Sequence, residues 1–231
     1  MSDEPAPARR NFYGRIKGKT LRASQKDYLA EDLGPLTLRG VTREENPARE
    51  RLDLGFGGGR PLWLEVGFGG GEHLVHMAAQ NPGVTIIGAE PFVNGIAMLL
   101  GKIRGAGVTN LWLHPGDVRD LFDVLPDACL TKVFLNYPDP WPKARHHRRR
   151  FVTPDHLLPL ARITAPGAEF RVATDIPDYV RQTLEEVPPA GFEFVLQSGP
   201  GEAWSDWLST RYEQKALREG RTPHYLTFRR K

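Results

Sequence analysis

Leu62-Trp63-Leu64-Glu65-Val66-Gly67-Phe68-Gly69-Gly70-Gly71-Glu72 is the stretch on which the reading of the fold turns. A run of mostly apolar residues predicts a short buried strand. Glycines at the alternate positions 67, 69 and 71 follow it, and helical spacing resumes from Glu72. A strand, a glycine loop and a helix in that order let a ligand approach backbone NH groups at a helix N-terminus. A near-copy, Gly55-Phe56-Gly57-Gly58-Gly59-Arg60, runs into Pro61 and then a strand, with no helix after it. The run Gly55–Gly59 therefore reads as a flexible connector, and no function is assigned to it.

Outward from this stretch, apolar runs of four to seven residues alternate with segments of helical spacing. Strands are expected at 62–66, 84–89, 110–114, 132–136, 169–173, 192–196 and 225–228. Helices are expected at 73–80, 93–105, 154–164, 177–187 and 211–220. Strands rich in Val, Ile and Leu, alternating with helices, imply an α/β fold: a doubly wound, mostly parallel, seven-stranded Rossmann-like sheet. Two strands crowd the C-terminus, which allows one antiparallel member. The chain divides into a disordered tail (1–10), an N-terminal basic extension (11–55) and one α/β domain (56–231).

Composition narrows the class. The chain has 231 residues, 40% of them hydrophobic and 26% charged, an ordinary globular profile. No run approaches the ~18 apolar residues that a membrane span needs, and MSDEPAPARRNF has no apolar segment of the kind a secretory signal carries. The single cysteine, Cys129, excludes an intramolecular disulfide and a cysteine-based zinc cluster. His73, His76, His114 and His156 are scattered and read as surface or structural residues, so no metal is expected. These features point to a cytoplasmic protein with no membrane partner, and they leave monomer and homodimer both open. The net charge of +3 conceals two acid-free basic runs. Seven basic residues lie between Arg9 and Lys26. Five more, with His146 and His147 in addition, lie from Lys143 to Arg150. Clustered positive charge in a nearly neutral chain is the footprint expected where phosphates dock.

Acids stand at the ends of three successive strands. Glu65 lies two residues before Gly67 and would repel a pyrophosphate, which together with the G-x-G-x-G spacing disfavours NAD. Glu90 ends the second strand and can accept hydrogen bonds from ribose hydroxyls. Asp117, after the third, is placed to meet an adenine edge. Acids at these positions suit a ligand carrying an amine and a sulfonium, which is S-adenosyl-L-methionine. After the fourth strand comes Asn136-Tyr-Pro-Asp-Pro-Trp-Pro-Lys-Ala-Arg-His-His-Arg-Arg-Arg150. Prolines at 138, 140 and 142 predict that Tyr137, Asp139 and Trp141 are held extended. Asp139 offers an acceptor for the Watson–Crick donors of a guanine, and Trp141 a stacking face for an extruded base.

Several motifs resemble the bacterial tRNA (guanine-N7-)-methyltransferases: LEVGFGGGEHL at 64–74, GAEP at 88–91, PGD at 115–117, PDPWPKARHHRRR at 138–150, ATD at 173–175 and TRYEQK at 210–215. The resemblance runs from about residue 12 to the C-terminus. It implies a class I methyltransferase that forms 7-methylguanosine in the variable loop of tRNA. It also implies that Glu65, Gly67, Gly69, Glu90, Asp117 and Asp139 bind S-adenosyl-L-methionine, with Asp139 as the active-site acid. Lys143, Asp175, Thr210, Arg211, Tyr212 and Glu213 would contact substrate. Arg145, His146, His147, Arg148, Arg149 and Arg150 would run along the RNA, and the basic N-terminal extension would aid tRNA binding. Ala144 departs from the pattern, standing where many members carry a second lysine.

Two other readings compete. One is a methyltransferase acting on an exocyclic amine, since Asn136-Tyr-Pro-Asp-Pro-Trp loosely resembles the (Asp/Asn)-Pro-Pro-(Tyr/Phe) motif, but the paired prolines are missing. The other is a non-catalytic RNA-binding module, which predicts damaged cofactor positions, whereas Glu65, Glu90, Asp117 and Asp139 are all intact.

Overall fold

The computed structural model describes residues 12–199 and 201–231, so the expected tail over 1–10 lies outside the described residues, as do Arg9 and Arg10. In chain order come α1 (Ala23–Glu31), α2 (Leu33–Leu36), β1 (Leu62–Val66), α3 (Glu72–Gln80), β2 (Thr85–Ala89) and α4 (Val93–Ala106). They are followed by β3 (Leu111–His114), α5 (Val118–Val124), β4 (Leu130–Asn136), α6 (Pro154–Ile163) and β5 (Thr164–Thr174). The chain ends with α7 (Pro177–Glu186), β6 (Phe192–Ser198), α8 (Arg211–Arg218) and β7 (His224–Arg230). Short 3-10 helices span Leu54–Gly57 and Ala144–Arg149.

The strand order is β3-β2-β1-β4-β5-β7-β6. The pairs β1–β2, β1–β4, β2–β3 and β4–β5 are parallel, and β7 lies antiparallel between β5 and β6. The mostly parallel sheet and its one antiparallel member agree with the sequence reading. Every residue of β2 is buried, which is why its sequence is a continuous apolar run rather than an alternation. One face of the sheet is covered around Leu64, Ile87, Val133 and Phe170, the other around Leu74, Ile86, Leu99 and Phe134. Pro154 and Pro177 occupy first helical positions, where a missing NH costs nothing and a fixed φ favours the turn.

Three helices escape the sequence reading for physical reasons, the four-residue α2 because it is too short to show a period. Helix α1 buries no residue, so it has no apolar stripe to reveal its period. Helix α5 has only seven residues, too few for periodicity to register. The Gly55–Gly59 run supplies most of the first 3-10 helix, whose N-cap Asp53 accepts the Gly55 amide, and then turns through left-handed Gly58 and Gly59 toward β1.

The N-terminal extension is built into the fold. Val93 N donates to Ile16 O at 3.0 Å, Gly18 N to Asn94 Oδ1 at 2.7 Å, and Asn94 Nδ2 to Lys19 O at 2.7 Å. Helix α1 packs on α4, with the Arg104 guanidinium 4.9 Å from the Tyr28 ring centroid. Thr37 forms a parallel bridge with Leu113, Leu38 N donates to Leu113 O at 2.9 Å, and Leu38 and Val41 are buried in the core. Among the described residues no helix is long and apolar enough to cross a membrane.

Order of strands positions the site. The glycine loop after β1, Glu90 after β2, Asp117 after β3 and the proline-rich segment after β4 all lie at the carboxyl edge of the sheet. Chain order reverses between β1 and β4, the place where ligands bind in open α/β sheets. Leu38→Ala, which removes core atoms supplied by the extension, is expected to cost about 2–4 kcal/mol in a denaturant melt. A cost below about 0.5 kcal/mol would show that the extension adds nothing to the core.

Candidate active site

The glycine loop is a left-handed staircase. Gly67, Gly69 and Gly71 have φ of 67°, 55° and 76°, a conformation that side-chain-bearing residues avoid, so the alternate glycines follow from the backbone path. Helix α4 comes so close that a Cβ on Gly95 would lie 2.3 Å from Gly69 O. Glu90 holds the loop from the other side: Oε2 accepts the Gly69 amide at 2.7 Å and Oε1 the Phe92 amide at 2.9 Å. Burial pushes the Glu90 carboxyl above the usual range, against the pull of these two amide donors.

A cleft of about 990 Å³ opens beside the loop. Gly67, Gly69, Glu90, Asp117, Asp139 and Trp141 line it, with Tyr212 from α8 and Phe12 to Arg15 from the N-terminal segment. Asp117 caps α5, its Oδ1 accepting the Arg119 amide at 3.0 Å, and Arg119 Nε sits 2.9 Å from Oδ2. Burial opposes ionisation of Asp117, but the Arg119 hydrogen bonds outweigh it and hold the carboxyl below its usual range.

Glu65 is placed otherwise than expected. It is 2% exposed and absent from the cleft lining, and its Oε2 lies 2.8 Å from His73 Nδ1. The sequence expectation took the strand-end acid as a cofactor contact. The alternation of β1 instead turns its side chain to His73 in the first turn of α3, so the pair braces both ends of the glycine loop. His73 is thus a buried partner, its ring 5.0 Å from Phe134.

The segment after β4 is kinked, not extended. Tyr137 has φ 50° and Trp141 φ 40°. A following proline disfavours the right-handed helical region, and the tight exit from β4 takes these two residues left-handed instead. Between them Asp139 is exposed and lines the cleft. The Trp141 ring meets Tyr13 edge-on at 6.5 Å, and the Arg149 guanidinium lies 4.7 Å from the Tyr13 and 5.0 Å from the Trp141 ring centroid. Nothing in the sequence reading singled out Tyr13. An aromatic residue inside a basic stretch was the available signal.

The basic run divides. Lys143, Arg145 and Arg148 are exposed, and Arg148 and Arg149 line the cleft. Residual burial and then the charges of Arg149, Arg145, Lys143 and Arg148 hold His146 below the usual imidazole range. His147 Nε2 lies 3.2 Å from Asp178 Oδ2. Arg150 is 1% exposed, with its Nε and Nη1 bonded to protein groups, which turns it away from the expected RNA-facing set.

The C-terminal motif divides in the same way. Thr210 Oγ1 caps α8 by accepting the Glu213 amide at 3.3 Å. Glu213 is 5% exposed, and its carboxylate accepts from Trp207 Nε1 at 2.8 Å and from the Tyr225 hydroxyl. Both residues were expected at the substrate; the requirement to satisfy buried polar groups gives them structural partners instead. Asp175 is paired with Arg221. Arg211 and Tyr212 remain beside the glycine loop, with Tyr212 exposed in the cleft.

A family model described as "Putative methyltransferase" matches residues 59–226. The fold is shared with the 16S rRNA methyltransferase KamB, at a TM-score of 0.56 and 18% identity over 74% of this chain and 88% of that one. The chain is 76% identical to the tRNA (guanine-N(7)-)-methyltransferase of Cereibacter sphaeroides, over 100% of this chain and 99% of that protein. Its identity to the protein of the same name from Paracoccus denitrificans is 72%, over 99% and 98% of the two chains. Matched from end to end at such identity, the chain belongs to the bacterial tRNA (guanine-N(7)-)-methyltransferase family.

Proposed function

We propose that the protein transfers the methyl group of S-adenosyl-L-methionine to N7 of a guanine in tRNA, acting in the cytoplasm. The observation that carries this reading is a single cleft joining a glycine loop flanked by Glu90 and Asp117 to Asp139, Trp141 and a basic surface. The residues present fit the cofactor. A Cβ on Gly67 would meet no protein atom within 4 Å, so space is kept clear above the loop, and the acids around it suit a cation. Glu90 and Asp117 would hold the ribose and adenine parts, while Glu65 and His73 brace the loop from behind. When bound, S-adenosyl-L-methionine supplies an electrophilic sulfonium methyl group.

The chain's own residues have a limited chemical task. Guanine N7 carries an in-plane lone pair and no proton, so no strong general base is needed. Catalysis then rests on proximity and orientation, worth up to ~7–11 kcal/mol in ideal cases. Asp139 accepts hydrogen bonds from the Watson–Crick edge of the guanine and so presents N7. Its charge also stabilises the cation that develops on the purine. Trp141 and Tyr13 offer ring faces to the extruded base. Lys143, Arg145 and Arg148 contact phosphates.

Asp139→Ala is expected to lower kcat by about 100-fold or more while cofactor affinity stays within about threefold. Full turnover by that variant, or nucleoside mass spectrometry showing methyl on an exocyclic amine, would refute the reading. Cofactor affinity measured by calorimetry should fall as pH drops through the raised Glu90 pKa, because the protonated acid loses acceptor capacity for ribose hydroxyls. Asp117, held low, stays ionised through that range. Glu90→Gln should flatten the profile, and an unchanged slope in that variant would remove Glu90 from the cofactor site. Affinity for tRNA should fall steeply with salt, with Arg148→Ala lowering the log–log slope by about one.

A further inference from the structure

Arg150 closes the basic run in sequence but turns inward in the fold. Its Nε donates to Pro140 O at 2.8 Å, and its Nη1 donates to Gln182 Oε1 at 2.9 Å and lies 2.9 Å from Asp178 Oδ2. The guanidinium carbon sits 5.2 Å from the Tyr179 ring centroid. Apart from Pro140, every one of these partners belongs to α7, which Tyr179, Val180 and Thr183 anchor in the interior. Gln182 is held in turn, its Nε2 donating to Val152 O at 3.0 Å. A side chain enclosed in this way presents no donor to a phosphate.

Pro140 is the residue after Asp139, so this guanidinium grips one end of the segment that carries the proposed active-site acid. The other end is gripped at Tyr137, whose NH donates to Ala173 O at 2.8 Å. Tyr137, at one grip, and Trp141, just past the other, hold φ of 50° and 40°, a path that persists only when its surroundings dictate it. Asp139 is itself exposed, so its orientation rests on the backbone that bears it. We infer that Arg150 is a positioning residue for Asp139: its planar fork ties the carbonyl of Pro140 to α7 and sets where the Asp139 carboxylate stands. The inference rests on the role proposed above for Asp139. A lysine in its place keeps the charge but cannot reach a backbone carbonyl, a carboxylate and an amide together in one plane.

The test is steady-state kinetics and tRNA binding with full-length Arg150→Lys, alone and in the Asp139→Asn background. Expected is a loss of about 10–100-fold in kcat, with tRNA affinity within about twofold of the unaltered protein and the salt slope unchanged. The loss should disappear when Asp139 is already Asn, because two residues acting through one step are not additive. Three results would overturn the inference: undiminished kcat, a salt slope reduced by about one, or the full loss recurring in the Asp139→Asn background. A purely architectural role would produce the last of these. If Arg150→Lys does not fold, Asp178→Asn weakens the same anchor from a half-exposed position. It should lower kcat several-fold only where Asp139 is intact, and unchanged kcat in folded Asp178→Asn would equally overturn the inference. Failure of the functional reading is separate: the unaltered protein would then methylate an atom other than guanine N7, or none.

Discussion

A buried carboxylate accepting two backbone amides organises the catalytic end of this molecule. Glu90 leaves β2 and binds the NH groups of Gly69 and Phe92, joining the sheet, the glycine loop and the approach to α4 at one point. Hydrogen bonds to a charged group contribute about 1.5–3 kcal/mol each, which opposes without cancelling the burial that raises the Glu90 pKa. With the loop held from that side, the close approach of Gly95 to Gly69 O fixes it from the other. The cleft is the space that remains between these constraints and the kinked segment after β4. The N-terminal segment borders the same space because Asn94, the second residue of α4, binds both Gly18 and Lys19.

Arginine shows how far side chains of one type diverge within one run. Arg145 and Arg148 face solvent, where their charge acts at a distance. Arg149 lies against two aromatic rings at the cleft, a cation–π placement, while Arg150 is swallowed between Pro140 and α7. What separates them is the geometry of the 3-10 helix Ala144–Arg149, whose tight winding sends successive side chains to different surroundings. A positively charged run is therefore part phosphate surface and part internal fastening.

The parallel sheet was legible because burial on both faces writes itself as continuous apolar runs. The expected range 62–66 coincides with β1, and 84–89 overlaps β2 to within one residue. The glycine loop was legible because only glycine tolerates its repeated left-handed turns. Helix α1 was not, since none of its residues is fully buried. The prolines after β4 correctly forbade a helix but suggested an extended path, where Tyr137 and Trp141 in fact turn left-handed. The acids at strand ends were visible as charges, but not the directions in which they point: Glu90 and Asp117 line the cleft, while Glu65 turns to His73.

By itself the sequence determined the class of fold, the place of the ligand loop and the family, because periodicity, glycine conformation and ordered motifs are local properties of the chain. Tertiary structure alone decided which members of each motif face the cleft. Thr210 and Glu213 cap and brace α8, whereas Tyr212 between them stands open in the cleft. Arg150 and Arg148 differ by two residues and by nearly complete burial. The reason is that a side chain's availability depends on what packs behind it, and those partners come from α7 and β7, far along the chain.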